Sequence, residues 1–271
     1  MFKKIVVPLD GRSATERALG PARAIAAEVG VPMELLYSRV GGRQAWPRTY
    51  LHAAADRNHV ETGYDVRVGK SGIQKLLDGV VAEEEALVCM TSESRIGVYE
   101  RLFGSVGTDL IHTTPASFLV VGPRAVVTPG WRPAHVVVCT DGSDTSRAIV
   151  PVVADWQAAF APTVKVLQVV SPAGSRALRA TEEDATEANV VRLVAEELGD
   201  GTAVDWDVLH SSDAARAILD EADAAPDTVI AMATHGRSGL ARVKLGSVTD
   251  AVIAHSKCPV LTVRPQHLRG A

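Results

Sequence analysis

The residues best placed to do chemistry are three glycines and a serine: Gly236, Gly239, Gly246 and Ser247. They follow an apolar run, Thr228 to Met232, and Ser247 opens a segment with helical spacing, SVTDAVIAH. Glycine lets backbone N–H groups converge on one point, because a positive φ costs it nothing and no Cβ stands in the way. A helix N-terminus adds unbonded N–H donors and partial positive charge. Together they make an anion site suited to phosphate. The Ser247 hydroxyl is a further donor and Arg237 a counter-charge within the loop. The same residues also allow a plain connector, since Ser247 and Asp250 have the spacing of a capping box.

Other constellations are sparse. Asp10 and Asp141 each end an apolar run, IVVPLD and VVVCTD, where an aspartate can either face a ligand or cap a turn. Gly69-Lys70-Ser71 resembles the end of a P-loop, but the required earlier glycine would be residue 64, which is Tyr64. Gly236-Arg237-Ser238-Gly239 is not a dinucleotide fingerprint. His235 and His255 have no Cys or His at ligand spacing, and no nucleophile–base or metal motif appears. The expectation is a protein that is not an enzyme, with slow hydrolysis of a bound phosphate ligand at most and no metal site of its own.

Bulk properties narrow the partners. The net charge is −4 with 22% charged residues, so nothing asks for nucleic acid or an acidic membrane surface. Aromatics make up 4%, too few for a base-stacking platform. Cys89, Cys139 and Cys258 form no CxxC pair, and two lie in valine-rich runs as small apolar side chains. With no apolar leader and no run of membrane-spanning length, a cytoplasmic location is expected.

The elements that would position these residues are written twice. IVVPLDGRSATERAL from Ile5 resembles VVVCTDGSDTSRAIV from Val136, with Asp10 and Asp141 131 residues apart. MTSESRIGVYERLFGSV from Met90 resembles MATHGRSGLARVKLGSV from Met232, with Ser105 and Ser247 142 residues apart. The second copy therefore has the longer middle, and GPRAVVTPGWRP reads as the join. Units at 1–124 and 133–265 follow. Each alternates strand and helix patterns, which predicts an α/β fold of two tandem Rossmann-like domains, each with a mainly parallel five-stranded sheet and helices on both faces. In the second copy the pattern places strands at HVVVCT, TVKVLQVV, VDWDVL, TVIAMA and PVLTVR. It places helices at SRAIVPVVADWQA, interrupted by Pro151, at Thr181 to Leu198, at SDAARAILDEADA with Ser212 or Asp213 as cap, and at SVTDAVIAH. Open parallel sheets bind ligands beyond the C-terminal ends of their strands, where Asp141 and the glycine loop fall.

This arrangement resembles tandem universal stress protein domains of the ATP-binding type, with the adenine nucleotide α-hydrolase-like fold. That family carries Gly-x2-Gly-x9-Gly-(Ser/Thr) after the fourth strand. Here the positions are Ala233, Gly236, Gly246 and Ser247, with alanine replacing the first glycine. The resemblance implies ATP, with Mg2+, flanked by Cys139, Thr140, Asp141 and Val169 at adenine and ribose. It implies ribose and phosphates on Ala233, Gly236, Arg237, Gly239, Gly246, Ser247, Val248 and Thr249. The first copy departs further: Thr91 and Ser94 replace the first two glycines, Glu93 brings negative charge, and Ser38 stands where Val169 stands in the second. Pro8, Asp10, Gly104 and Ser105 survive as a weakened site. The resemblance further implies a nucleotide-dependent stress sensor or regulator, an unknown protein partner, and a homodimer formed through last strands. The alternative is a scaffold for interaction or dimerisation whose nucleotide sites are vestigial.

Overall fold

The computed structural model describes residues 1–39, 45–60, 63–83, 85–92, 110–111, 113–171, 180–199, 204–234 and 246–265. The first half contains β1 (Lys4–Leu9), a short turn of helix α1 (Ser13–Glu16), α2 (Leu19–Val29), β2 (Met33–Ser38), α3 (Pro47–Arg57), β3 (Tyr64–Gly69), α4 (Ile73–Glu83), β4 (Ala86–Thr91) and β5 (Ser117–Val121). The second contains β6 (His135–Thr140), a 3₁₀ turn (Ser146–Ile149), α5 (Val150–Phe160), β7 (Thr163–Val170), α6 (Ala180–Gly199), β8 (Asp205–His210), α7 (Ala214–Ala222), β9 (Thr228–Ala233), α8 (Ser247–His255) and β10 (Val260–Val263).

The strands form one ten-stranded sheet in the order β3-β2-β1-β4-β5-β10-β9-β6-β7-β8. Every pairing is parallel except β5 with β10. Two parallel five-stranded sheets thus meet edge to edge. Leu119 pairs with Leu261, its counterpart 142 residues on, so the seam has a pseudo-twofold axis through that pair. The last strands, which the resemblance assigned to pairing between chains, here pair within one chain.

Strand side chains alternate between two cores because the pleat has a period of two. Ile5, Val7, Leu35, Val136, Val138 and Val166 face α2, α3, α5 and α6. Val6, Leu36, Val88, Val137, Leu167 and Ile230 face α4, α7 and α8. Both faces of the sheet are covered, which is why the strands read as unbroken apolar runs. Pro151 does not interrupt its helix. The chain first makes the 3₁₀ turn, and α5 starts at Val150 with Pro151 in its first turn, where a missing N–H costs nothing. Asp213 caps α7 by accepting from the Arg216 amide at 2.9 Å.

The join between halves is docked, not free. Arg17 donates to the carbonyls of Gly122 and Ala125 at 3.1 and 2.5 Å, and the Val126 amide donates to Lys257 O at 2.8 Å. Trp131 and Ala125 are buried.

Candidate functional site

In the second half the chain leaves β6 in one direction, toward β7 and β8, and returns to β9 on its other side. The C-terminal ends of β6 and β9 therefore open a crevice at the switch point of the sheet. Cys139 is paired with Met232 across these strands, so Thr140 and Ala233 emerge side by side, with Asp141 and Thr234 next. β7 is paired with β6 as far as Thr140 and Gln168, which sets Val169 beside Asp141. The structure thus brings together Cys139, Thr140, Asp141, Val169, Ala233, Gly246, Ser247, Val248 and Thr249. Gly236, Arg237 and Gly239 lie outside the described residues, as do Gly104 and Ser105 of the first half.

Helix α8 begins at Ser247, as its spacing predicts, but the capping box does not form. Gly246 is the N-cap and, as a glycine, brings no capping side chain of its own. The amides of Ser247, Val248 and Thr249 accordingly have no intrahelical acceptor. The Gly246 amide is spent on Thr234 O at 2.9 Å, which ties the helix start to the end of β9. A Cβ on Gly246 would sit 3.1 Å from that same carbonyl oxygen. Ser247 is exposed, with its hydroxyl open to a ligand. Thr249 is buried, and its hydroxyl lies 3.4 Å from Ala233 O, so its amide is what it offers a phosphate. Cys139 is also a backbone contributor. Its side chain is buried in the core under α7 and α8, and burial pushes its thiol well above the usual range.

Asp141 is held by a network that sequence reasoning overlooked. Its Oδ1 accepts from the Ser143 amide at 3.0 Å and the Ser143 hydroxyl at 2.6 Å. The Ser146 hydroxyl sits 2.9 Å from that of Thr140, which also accepts from the Gly142 amide at 3.1 Å. Gly142 has φ of 79° and its counterpart Gly11 has 93°. Only glycine takes that conformation at no cost, and it turns the chain sharply behind each aspartate. The signal was present as the Asp-Gly pair in both copies.

The first-half aspartate is engaged differently. Arg12 stands at the position of Ser143, and its Nε donates to Asp10 Oδ2 at 2.6 Å, with a second guanidinium nitrogen on the same oxygen. The Arg12 amide and the Thr15 hydroxyl take Oδ1 at 3.0 and 3.2 Å. A carboxylate already neutralised this way has little left for a ribose hydroxyl. Pro8 is within β1, paired with Leu36. Ser38, in the place of Val169, donates to Ser71 O at 2.7 Å. Thr91 Oγ1 and Ser92 Oγ at the end of β4 are buried without hydrogen-bond partners. A cleft of about 570 Å3 flanks the Gly11 turn, lined by Glu16, Trp46, Tyr50 and Arg57, but it opens toward α3 and holds none of the residues assigned to a nucleotide. Gly69 of the rejected P-loop sequence serves packing, since a Cβ there would sit 2.7 Å from Leu76.

Parallel strands in the order β3-β2-β1-β4-β5, matched by β8-β7-β6-β9-β10, with an Asp-Gly turn at each switch point, define a doubly wound α/β unit present twice. The comparisons agree, for the universal stress protein family pattern matches residues 1–122 and again 134–264; the chain belongs to that family. Solved structures share the whole arrangement. A functionally unknown protein from Pseudomonas aeruginosa PAO1 is 15% identical with a TM-score of 0.71, over 99% of this chain and 94% of that one. A universal stress protein from Archaeoglobus fulgidus is 16% identical with a TM-score of 0.63, over 97% of each chain. Among the described residues no helix is long and apolar enough to cross a membrane, and no group of three acidic, His or Cys side chains could hold a metal ion.

Proposed function

We propose that this chain binds ATP in its second half and acts as a nucleotide-dependent sensor or regulator in the stress response, without catalysis of its own. The observation that carries the reading is the α8 N-terminus, which starts on a glycine N-cap beside the end of β9, the strand that neighbours β6 and its Asp141–Gly142 turn at the switch point. Three first-turn amides, the Ser247 hydroxyl and the loop glycines suit a polyphosphate; Asp141 suits a ribose hydroxyl, and Val169 an apolar base edge. Mg2+ would arrive on the phosphates, since it is commonly held by few protein ligands. ATP would supply a charged ligand whose presence shifts the chain toward whichever conformation binds it better.

The test is direct. Nucleotide released from the purified protein by heat denaturation is identified by chromatography, and ATP is the expected result. Added Mg-ATP at 100 times its Kd should stabilise by about 2.7 kcal/mol, roughly 5–10 °C for a chain of this size. No nucleotide released and no shift at millimolar Mg-ATP would overturn the reading.

The second reading, an interaction scaffold with vestigial sites, is favoured by the Arg12–Asp10 clamp, which turns one crevice inward on itself. Because β5 and β10 are paired with each other, a homodimer in either reading would use another surface.

A further inference from the structure

The two halves share a fold and a strand register, so each could in principle assemble from the other's parts. The leading segment of each half (β1 to β2, or β6 to β7) connects to its trailing segment through residues 39–46 or 171–179. A crossed assembly would dock the leading segment of one half on the trailing segment of the other, within a chain or between two copies. The hydrophobic effect is non-directional and does little to reject it, and such misassembly is a characteristic failure of repeated domains.

Among the described residues three ion pairs span each connection, and in two of the three the signs are exchanged between the halves. In the first half Glu16, on the leading side, accepts from Arg57 of α3 at 2.7 Å. At the corresponding place of the second half, Arg147 leads and Glu197 of α6 trails, at 2.5 Å. Glu34 of β2 pairs with Arg67 of β3, and at the same lattice position Lys165 of β7 lies 3.6 Å from Asp207 of β8. The register makes the equivalence strict. Glu34 is opposite Asp65 and Lys165 opposite Asp205, so each partner sits two residues further along its strand. The leading segment is acidic at both points in one half and basic at both in the other. The helix acids Glu83 and Glu221 have one sign in both halves and do not discriminate.

We propose that these four pairs form a charge code that assigns each leading segment to its own trailing segment and rejects crossed assembly. Crossing would set Glu16 against Glu197, Glu34 against Asp207, Arg147 against Arg57 and Lys165 against Arg67. Each of these four attractions becomes a like-charge contact, the repulsive element on which specificity between near-identical partners depends, while Lys4 and Lys165 would meet a helix acid in either arrangement. The code acts between segments of this chain and against a second copy of it, independently of any nucleotide.

The test erases the code while re-forming each of the four coded pairs with its signs exchanged. In R147E/K165E/E197R/D207R the second half carries the first half's signs at these four positions, with an arginine replacing Lys165 as the partner of Glu221 and His135 where the first half has Lys4. Wild type and variant are unfolded in denaturant and refolded at rising protein concentration. Material larger than the never-denatured protein is measured by light scattering after size exclusion. The variant is expected to give about tenfold more of it, the population change that 1.4 kcal/mol buys. The exposed pair alone, R147E/E197R, which leaves the buried side of the sheet untouched, should give a smaller rise. R192E/E196R re-signs a pair within α6 and should match wild type. Wild type refolded at about 1 M salt, where the Debye length falls to about 3 Å, should itself cross more often. Clean refolding of both re-signed variants, or an equal rise in the α6 control, would overturn the proposal.

Discussion

Replacing Gly246 probes the cradle at its tightest point. Its φ of −56° and ψ of 141° are open to any residue, so Gly246→Ala carries no backbone strain. The new methyl would lie 3.1 Å from Thr234 O and 3.7 Å from Thr249 Oγ1. That carbonyl already holds the Gly246 amide at 2.9 Å, so it cannot retreat by a few tenths of an ångström without lengthening the bond. The bond is worth about 0.5–1.5 kcal/mol, against a gain of about 0.4–1 kcal/mol from stiffening the unfolded chain. Folding stability should therefore change by less than about 1 kcal/mol, moving the Tm by no more than about 4 °C. Binding should suffer more, because the shift tilts the first turn of α8, where the Ser247, Val248 and Thr249 amides must converge. Losing one charged hydrogen bond costs about 1.5–3 kcal/mol, or roughly 10- to 150-fold in Kd. Gly246→Val, whose two γ-carbons reach past the same carbonyl, should abolish tight binding at a larger folding cost. Calorimetric titration with Mg-ATP, alongside a melting curve of each free protein, separates the two effects. If Gly246→Ala binds ATP within about twofold of wild type at unchanged Tm, the α8 amides are not the phosphate donors and the site is misassigned.

Calorimetry on the whole chain should give about one ATP per chain, since Asp10 is clamped by Arg12 and Glu93 adds charge to the first loop, where a carboxylate about 4 Å from phosphate costs on the order of 1–4 kcal/mol; two equivalent sites would contradict this. Gly122→Ala should lower stability by about 1–3 kcal/mol, read as a fall in Tm, because its Cβ would lie 2.2 Å from Ile253 O across the contact between the linker and α8. The Lys165 ammonium is held above its ordinary range by its hydrogen bond to Glu221. Its contribution is complete below the unfolded lysine pKa and is lost as pH rises through the folded value, so Lys165→Met should flatten the alkaline fall in Tm. Burial pushes the Cys89 and Cys139 thiols upward, so at neutral pH an aromatic disulfide reagent should spare both in the folded protein and react with all three cysteines after denaturation.

What was legible in the sequence was whatever a single segment decides. Runs such as HVVVCT and TVIAMA have to be buried on both faces, and that alone implied a parallel sheet with helices on either side. The twofold repeat followed from aligning Asp10 with Asp141 and Ser105 with Ser247. What escaped was decided by neighbours that only folding supplies. Ser247 and Asp250 have capping-box spacing, yet Gly246 takes the cap because its amide is drawn to Thr234 O and the helix starts one residue earlier than the box requires. Pro151 looked like an interruption because the 3₁₀ turn before it, fixed by Ser143 and Ser146, has no period of its own to read.

The same distinction explains why the two crevices diverge more than their loops suggest. Two positions after Pro8 and its equivalent Cys139, the chain reads Asp-Gly-Arg and Asp-Gly-Ser, a difference that looks minor beside the lost glycines of the first loop. In the folded chain it decides the electrostatics. The Gly11 and Gly142 turns are alike, so both fold residue 12 or 143 back onto the aspartate. A serine returned there offers neutral donors to the carboxylate, whereas an arginine brings a cation into contact with it. Opposite charges at homologous places recur in Glu16 and Arg147, and in Glu34 and Lys165. After duplication, this chain kept its apolar lattice nearly constant and diverged by re-signing the groups upon it.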